Sequence, residues 1–209
     1  MIANLPNALT LSRIGVIPAL VAAFYLPGDW ANWVALGLFV GAGITDYLDG
    51  YFARAHSTQS KLGQFLDPVA DKLLVAATLL MLVAFDRIHG WAILPTLVIL
   101  CREILVAGLR EFLAELQVAV PVSRLAKWKT TVQMVALGFL LAGDAAHPLF
   151  RAGLIGSLGL WLAALLTIYT GYDYLRAGLR HMSARAEARS GDAGAQSGRH
   201  GARSTPPLG

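Results

Sequence analysis

Cysteine is nearly absent from this sequence, and charge is scarce. One cysteine, Cys101, in 209 residues rules out an intrachain disulfide. It sits in an apolar run and reads as a packing residue. Charged residues make up 14% of the chain and hydrophobic ones 56%, where a soluble globular protein has about 25% and about 45–50%. With a mean hydropathy of +0.57, this composition excludes an ordinary soluble domain and points to a membrane protein. The opening MIANLPNALTLSR has no basic segment of the kind that starts a cleavable signal peptide, and Arg13 interrupts its apolar stretch. His56, His89 and His147 are scattered over separate loops and form no metal-binding spacing. There is no internal repeat of the sort that marks inverted-repeat transporters. The net charge of +4 is small and carried by loops and the tail, which suits an anionic membrane surface and not nucleic acid.

What the chain does have is apolar runs of about 20 residues, the length that crosses a hydrocarbon layer about 30 Å thick. Six spans are expected, at 8–26, 30–54, 68–86, 91–113, 125–143 and 150–176. The predicted fold class is all-α, a polytopic bundle of six transmembrane helices, in one membrane domain over 1–182. Residues 183–209 are rich in Ser, Gly, Ala and Arg and lack aromatics, so they are expected to be a disordered basic tail. Basic residues gather on one side, with Arg54, His56 and Lys61 in one loop, Arg124, Lys127 and Lys129 in another, and Arg176 and Arg180 opening the tail. The opposite loops hold only Arg87 and Arg151. By the positive-inside rule the basic side is cytoplasmic, and six spans put both termini there. Trp30, Trp33 and Trp91 are expected at the outer interface and Trp128 at the inner one. Gly37, Gly41 and Gly43 are expected to let helices pack closely.

Against this background, four aspartates crowd into one segment. Asp46 and Asp49 are three residues apart on the second span, and Asp67 and Asp71 four apart on the third, so each pair shares a helix face. Pro68 suits the first turn of a helix, and 55–66 would form the return between the pairs. Each carboxylate in a bilayer costs about 2.5–3.5 kcal/mol, and four together repel one another. Two divalent cations would balance them, and an all-oxygen donor set favours Mg²⁺ or Mn²⁺ over Zn²⁺. Such a pair of cations suits phosphoryl chemistry. Gly50 and Ala53 remove bulk from the same face, which lets a ligand approach the backbone. The competing readings are an N-cap role for Asp67 and a structural pair between Arg54 and Asp46 or Asp49. A divalent-cation transporter would use the same aspartates, but it gives no reason for the Gly50–Ala53–Arg54 spacing.

The segment DYLDGYFARAHSTQSKLGQFLDPVAD resembles the signature of the CDP-alcohol phosphotransferase family, D-x2-D-G-x2-A-R-x8-G-x3-D-x3-D, at all eight fixed positions over 26 residues. The segments NLPNALTLSR, REILVAGLREFLAE and KWKTTVQMVAL resemble the bacterial branch of that family whose acceptor is glycerol 3-phosphate. The resemblance implies a six-helix inner-membrane enzyme that moves the phosphatidyl group of CDP-diacylglycerol to that acceptor and releases CMP, and it implies a homodimer. It implies that Asp46 and Asp67 bridge two metals, that Asp49 and Asp71 complete their shells, and that Asp71 is the general base. It further implies that Gly50, Arg54 and Ser60 contact the CDP moiety, with Pro6, Asn7 and Thr10 at its cytidine end. A sibling enzyme using phosphatidylglycerol, serine or inositol phosphate is the alternative.

A phosphate acceptor needs cations. Arg102 and Arg110 lie on the fourth span, eight residues and about 80° apart. Lys127 and Lys129 open the fifth. These four are the expected acceptor pocket. For the lysines the competing role is snorkelling at the interface, and for Arg102 an ion pair with Glu103 or Glu111.

Overall fold

A computed structural model describes residues 5–56, 61–115, 124–146, 151–172 and 176; Ser60 and the tail at 183–209 lie outside them. Among the described residues every regular element is helical. Helix α1 is Leu5–Ala23, α2 Trp30–His56, α3 Lys61–Ala84, α4 Ile93–Glu115 and α5 Arg124–Ala142. Helix α6 is Ala152–Tyr172. Short 3₁₀ turns at Gly90–Ala92 and Gly143–Ala145 lead into α4 and out of α5. Helix α1 packs against both α2 and α3. Helix α5 lies against α2 and α3, and α4 against α3.

One boundary differs from the sequence reading in a way that matters. Helix α3 starts at Lys61, so Asp67 and Pro68 are inside it and Asp67 is not its N-cap. Most of the expected 55–66 return is helical as well. Pro68 carries no N–H to give to the carbonyl of Gln64; the apolar sequence that follows sustains the helix past that missing bond.

The core is leucine-rich. Leu20, Phe39, Leu74, Leu82, Ile99, Leu137, Leu140 and Leu160 are all buried. The glycines that bring helices together are not those expected from α2. A methyl group on Gly37 or Gly41 would meet open space, and one on Gly43 would only touch Met134 at 3.4 Å. On α6, a methyl group on Gly156 would come 3.1 Å from the carbonyl oxygen of Ala136, and one on Gly159 would come 2.7 Å from the Ala136 methyl. Gly156 and Gly159 therefore set the closeness of α5 and α6. Three hydroxyls in these apolar helices are satisfied locally: Thr78 donates to the Leu74 carbonyl at 2.8 Å, Thr96 to Ala92 at 3.1 Å and Thr170 to Leu166 at 2.8 Å.

The outward faces are oily. Helix α6 exposes Leu154, Ile155, Leu158, Leu162, Leu165 and Ile168, and α4 exposes Leu97, Ile104, Leu105 and Phe112. Continuous apolar faces of this kind are unfavourable in water by about 25 cal/mol per Å² and favourable in lipid. Two segments, Gly90–Leu113 and Ala152–Tyr172, are long and apolar enough to cross a bilayer. This is a membrane protein. Trp30, Trp33, Trp91 and Trp128 are all exposed, as interfacial anchors would be.

At one end of the bundle Arg87 ties three connections together. Helix α3 closes in a Schellman arrangement, with Asp86 at φ 57° and the Arg87 N–H donating to the Leu82 carbonyl at 2.9 Å. The Arg87 guanidinium then donates to the carbonyl of Leu141 at 2.8 Å and to the Asn32 side chain, and it lies over the Phe24 ring at 5.6 Å. Gly143, at φ 47°, leaves room for it: a methyl group there would stand 3.1 Å from Nη1. The charge of Arg87 thus neutralises the carbonyl end of α5, which explains a cation on the side of the bundle with few others. Arg87→Ala should lower stability by about 1.5–3 kcal/mol, read as a lower melting temperature in detergent, with Arg87→Lys intermediate.

Candidate active site

Two of the four aspartates are described with their side chains, and they meet. Asp46 sits on α2 and Asp71 on α3, and both place Oδ1 on the same nitrogen, Nη1 of Arg13 on α1, at 2.9 Å and 3.3 Å. Asp49 follows Asp46 by one helical turn on α2, and Asp67 precedes Asp71 by one turn on α3; their side chains lie outside the described residues. So do those of Pro6, Asn7, Thr10, Ala53, Arg54 and Lys127, although all are on described helices, as is Gly50.

Arg13 is a site residue that the sequence reading passed over as a mere interruption of an apolar stretch. It is 1% exposed, whereas the carboxylate side chains of Asp46 and Asp71 are 44% and 51% exposed. The guanidinium therefore lies behind the carboxylates, on the protein side, and the carboxylates open outward. The signal was present: a lone arginine among apolar residues is as costly in a bilayer as an aspartate, and needs partners for the same reason.

The donor chemistry of the described pair fits a hard divalent cation. Both groups are carboxylates, both are partly open, and neither Cys nor His accompanies them. Among the described residues no group of three or more metal-ligand side chains is assembled.

A second polar cluster lies between α4, α5 and α6. The Lys129 ammonium bonds to Oε1 of Glu103. Arg102 reaches the same oxygen through Nη1 at 3.5 Å and donates through Nη2 to the Thr170 hydroxyl at 2.9 Å. Gly171 on α6 packs close to this arginine: a methyl group there would stand 3.3 Å from Cγ of Arg102. Lys129 is 3% exposed, so it does not snorkel outward; it turns inward to a carboxylate. Arg102 does form the ion pair with Glu103, together with its bond to α6. Arg110 is exposed, two turns beyond Arg102 on α4, and among the described residues it takes no part in these hydrogen bonds. Lys72 follows Asp71 directly on α3, and the sequence reading did not single it out. Two buried oxygens, Oε1 of Gln133 and Oγ1 of Thr167, have no hydrogen-bond partner among the described residues. Gln133 is one turn beyond Lys129 on α5, and Thr167 one turn before Thr170 on α6.

The model of the CDP-alcohol phosphatidyltransferase family matches residues 3–169, which takes in all six helices but the end of α6. A Rickettsia felis protein named CDP-diacylglycerol–glycerol-3-phosphate 3-phosphatidyltransferase is 48% identical over 174 residues, covering 83% of this chain and 94% of that protein. Proteins of the same name from Pseudomonas fluorescens and Cereibacter sphaeroides are 43% and 38% identical, each covering 86% of this chain and 92% and 97% of their own lengths.

Proposed function

The chain belongs to the CDP-alcohol phosphatidyltransferase family, and on that premise we propose that it transfers the phosphatidyl group of CDP-diacylglycerol to glycerol 3-phosphate, giving phosphatidylglycerophosphate and CMP. The observation that carries this reading is the meeting of Asp46 and Asp71, from two helices of the matched segment, on one buried arginine. The names of relatives that align over nearly their whole length supply the substrates.

Asp46, Asp49, Asp67 and Asp71 would hold two divalent cations, Mg²⁺ or Mn²⁺, which supply charge neutralisation at the diphosphate and at the departing phosphate. Asp71 accepts the proton of the acceptor hydroxyl as that oxygen attacks the phosphorus bearing diacylglycerol, and CMP leaves. Arg13 keeps the Asp71 carboxylate turned to the open side. Gly50, Ala53, Arg54 and Ser60, with Pro6, Asn7 and Thr10, form the CDP-diacylglycerol side. Arg102, Lys129, Lys127 and Arg110 bind the acceptor phosphate, and Lys72 extends that field toward Asp71. The six helices, from 19 to 27 residues long, cross the bilayer with both termini on the cytoplasmic face, so the polar acceptor arrives from water and the lipid donor from the side. The chain acts as a homodimer.

The test is CMP release from CDP-diacylglycerol by the purified protein with Mg²⁺ or Mn²⁺, comparing glycerol 3-phosphate with phosphatidylglycerol, serine and inositol phosphate. Release with glycerol 3-phosphate alone is expected; no CMP with any acceptor would sink the reading. Arg102→Ala should raise the KM for glycerol 3-phosphate roughly 10- to 100-fold, the worth of one or two charged hydrogen bonds, and leave the KM for CDP-diacylglycerol within about twofold. Equal rises in both constants would make Arg102 structural.

A further inference from the structure

Arg13 occupies an unusual position for a buried cation. It is wholly shielded, while Asp46 and Asp71, which pair with it, are about half open. Without Arg13, Asp46 and Asp71 would face one another with like charge. Without them, the buried Arg13 guanidinium would lose two carboxylate partners. With all three present the group still carries one net negative charge, which leaves it attractive to a cation arriving from the open side.

We propose that Arg13 is a positioning residue that serves as a resident counter-charge, assembling the Asp46 and Asp71 carboxylates from α2 and α3 before divalent cations arrive and giving up that role to them on binding. The inference rests on the reading of these aspartates as cation ligands. A doubly charged ion in front of the carboxylates compensates them fully, and the guanidinium behind then repels that ion. Arg13 therefore stabilises the metal-free protein more than the loaded one. It weakens cation binding while keeping the ligands in place for it. A residue that merely packed three helices together would stabilise both forms alike.

Thermal unfolding of the full chain in detergent, followed by tryptophan fluorescence in EDTA and in saturating Mn²⁺, separates the two roles. Arg13→Gln keeps much of the shape and a donor but removes the charge. In EDTA this variant should melt roughly 10 °C below the parent protein. Mn²⁺ should recover most of that loss, so its metal-induced rise exceeds the parent's, and Mn²⁺ titration should show affinity tighter by about tenfold or more, as removing a like charge at this range demands. Arg13→Lys should keep the parent's metal response. Equal melting losses with and without Mn²⁺ would overturn the proposal, as would an Arg13→Gln protein that fails to fold even in saturating Mn²⁺. CMP release by the parent protein is scored separately, so a failed activity assay with an intact metal-response difference would count against the function and not against Arg13.

Discussion

Asp71→Asn should reduce CMP formation by about 10²- to 10⁴-fold, the usual contribution of a general base, and should leave CDP-diacylglycerol binding in place. The substitution is sharp because of what it preserves. Asparagine retains the Oδ1 acceptor that Arg13 approaches at 3.3 Å, so the link between α1 and α3 persists. What it removes is the ability to take a proton. Measuring turnover at saturating Mg²⁺ keeps a weakened cation ligand from dominating the result, and binding of CDP-diacylglycerol is read separately by titration. Turnover within a few-fold of the parent would remove Asp71 as the base.

Glu103→Ala should be the most destabilising single change in the acceptor cluster. Glu103 receives both the Lys129 ammonium and the Arg102 guanidinium, and Lys129 has almost no access to water. Removing the carboxylate leaves two cations facing each other, one of them buried. Breaking a buried pair from one side costs about 3–5 kcal/mol. The double change Glu103→Leu with Lys129→Met removes charge from both sides and should recover most of that stability, because the desolvation of both ions is then avoided. It should not recover acceptor use, since a phosphate would lose one of its cations. Stability measured by thermal unfolding and KM for glycerol 3-phosphate would thus diverge in the double variant. A loss under about 1 kcal/mol for Glu103→Ala would mean that water reaches Lys129.

Much of this architecture was readable without coordinates. Helix number and approximate position follow from apolar run length, because a bilayer-length helix must be almost uniformly apolar and leaves a long, unmistakable trace. The four aspartates were equally visible, since charge in such a run is expensive enough to require a reason. Arg102 stood out by the same rule and Lys129 as a cation suited to a phosphate acceptor, and the structure brings both to one carboxylate. The rest was not legible because it depends on partners distant in sequence. Pro68 resembled a helix start, but the earlier turns of α3 carry no comparable local marker. Gly37 and Gly41 resembled packing glycines, yet glycine marks close approach only if another helix is there, and it is Gly156 and Gly159 that meet α5.

Solvent, helices and acidic signature follow from residue order alone, because hydropathy, run length and residue spacing are properties of a chain read from end to end. Only the tertiary structure decided which charges answer one another. Arg13 and Asp71 are 58 residues apart, Lys129 and Glu103 are 26 apart, and Arg102 and Thr170 are 68 apart. A buried charge is stable only beside its counter-charge, and no spacing along the chain states which helix will bring it.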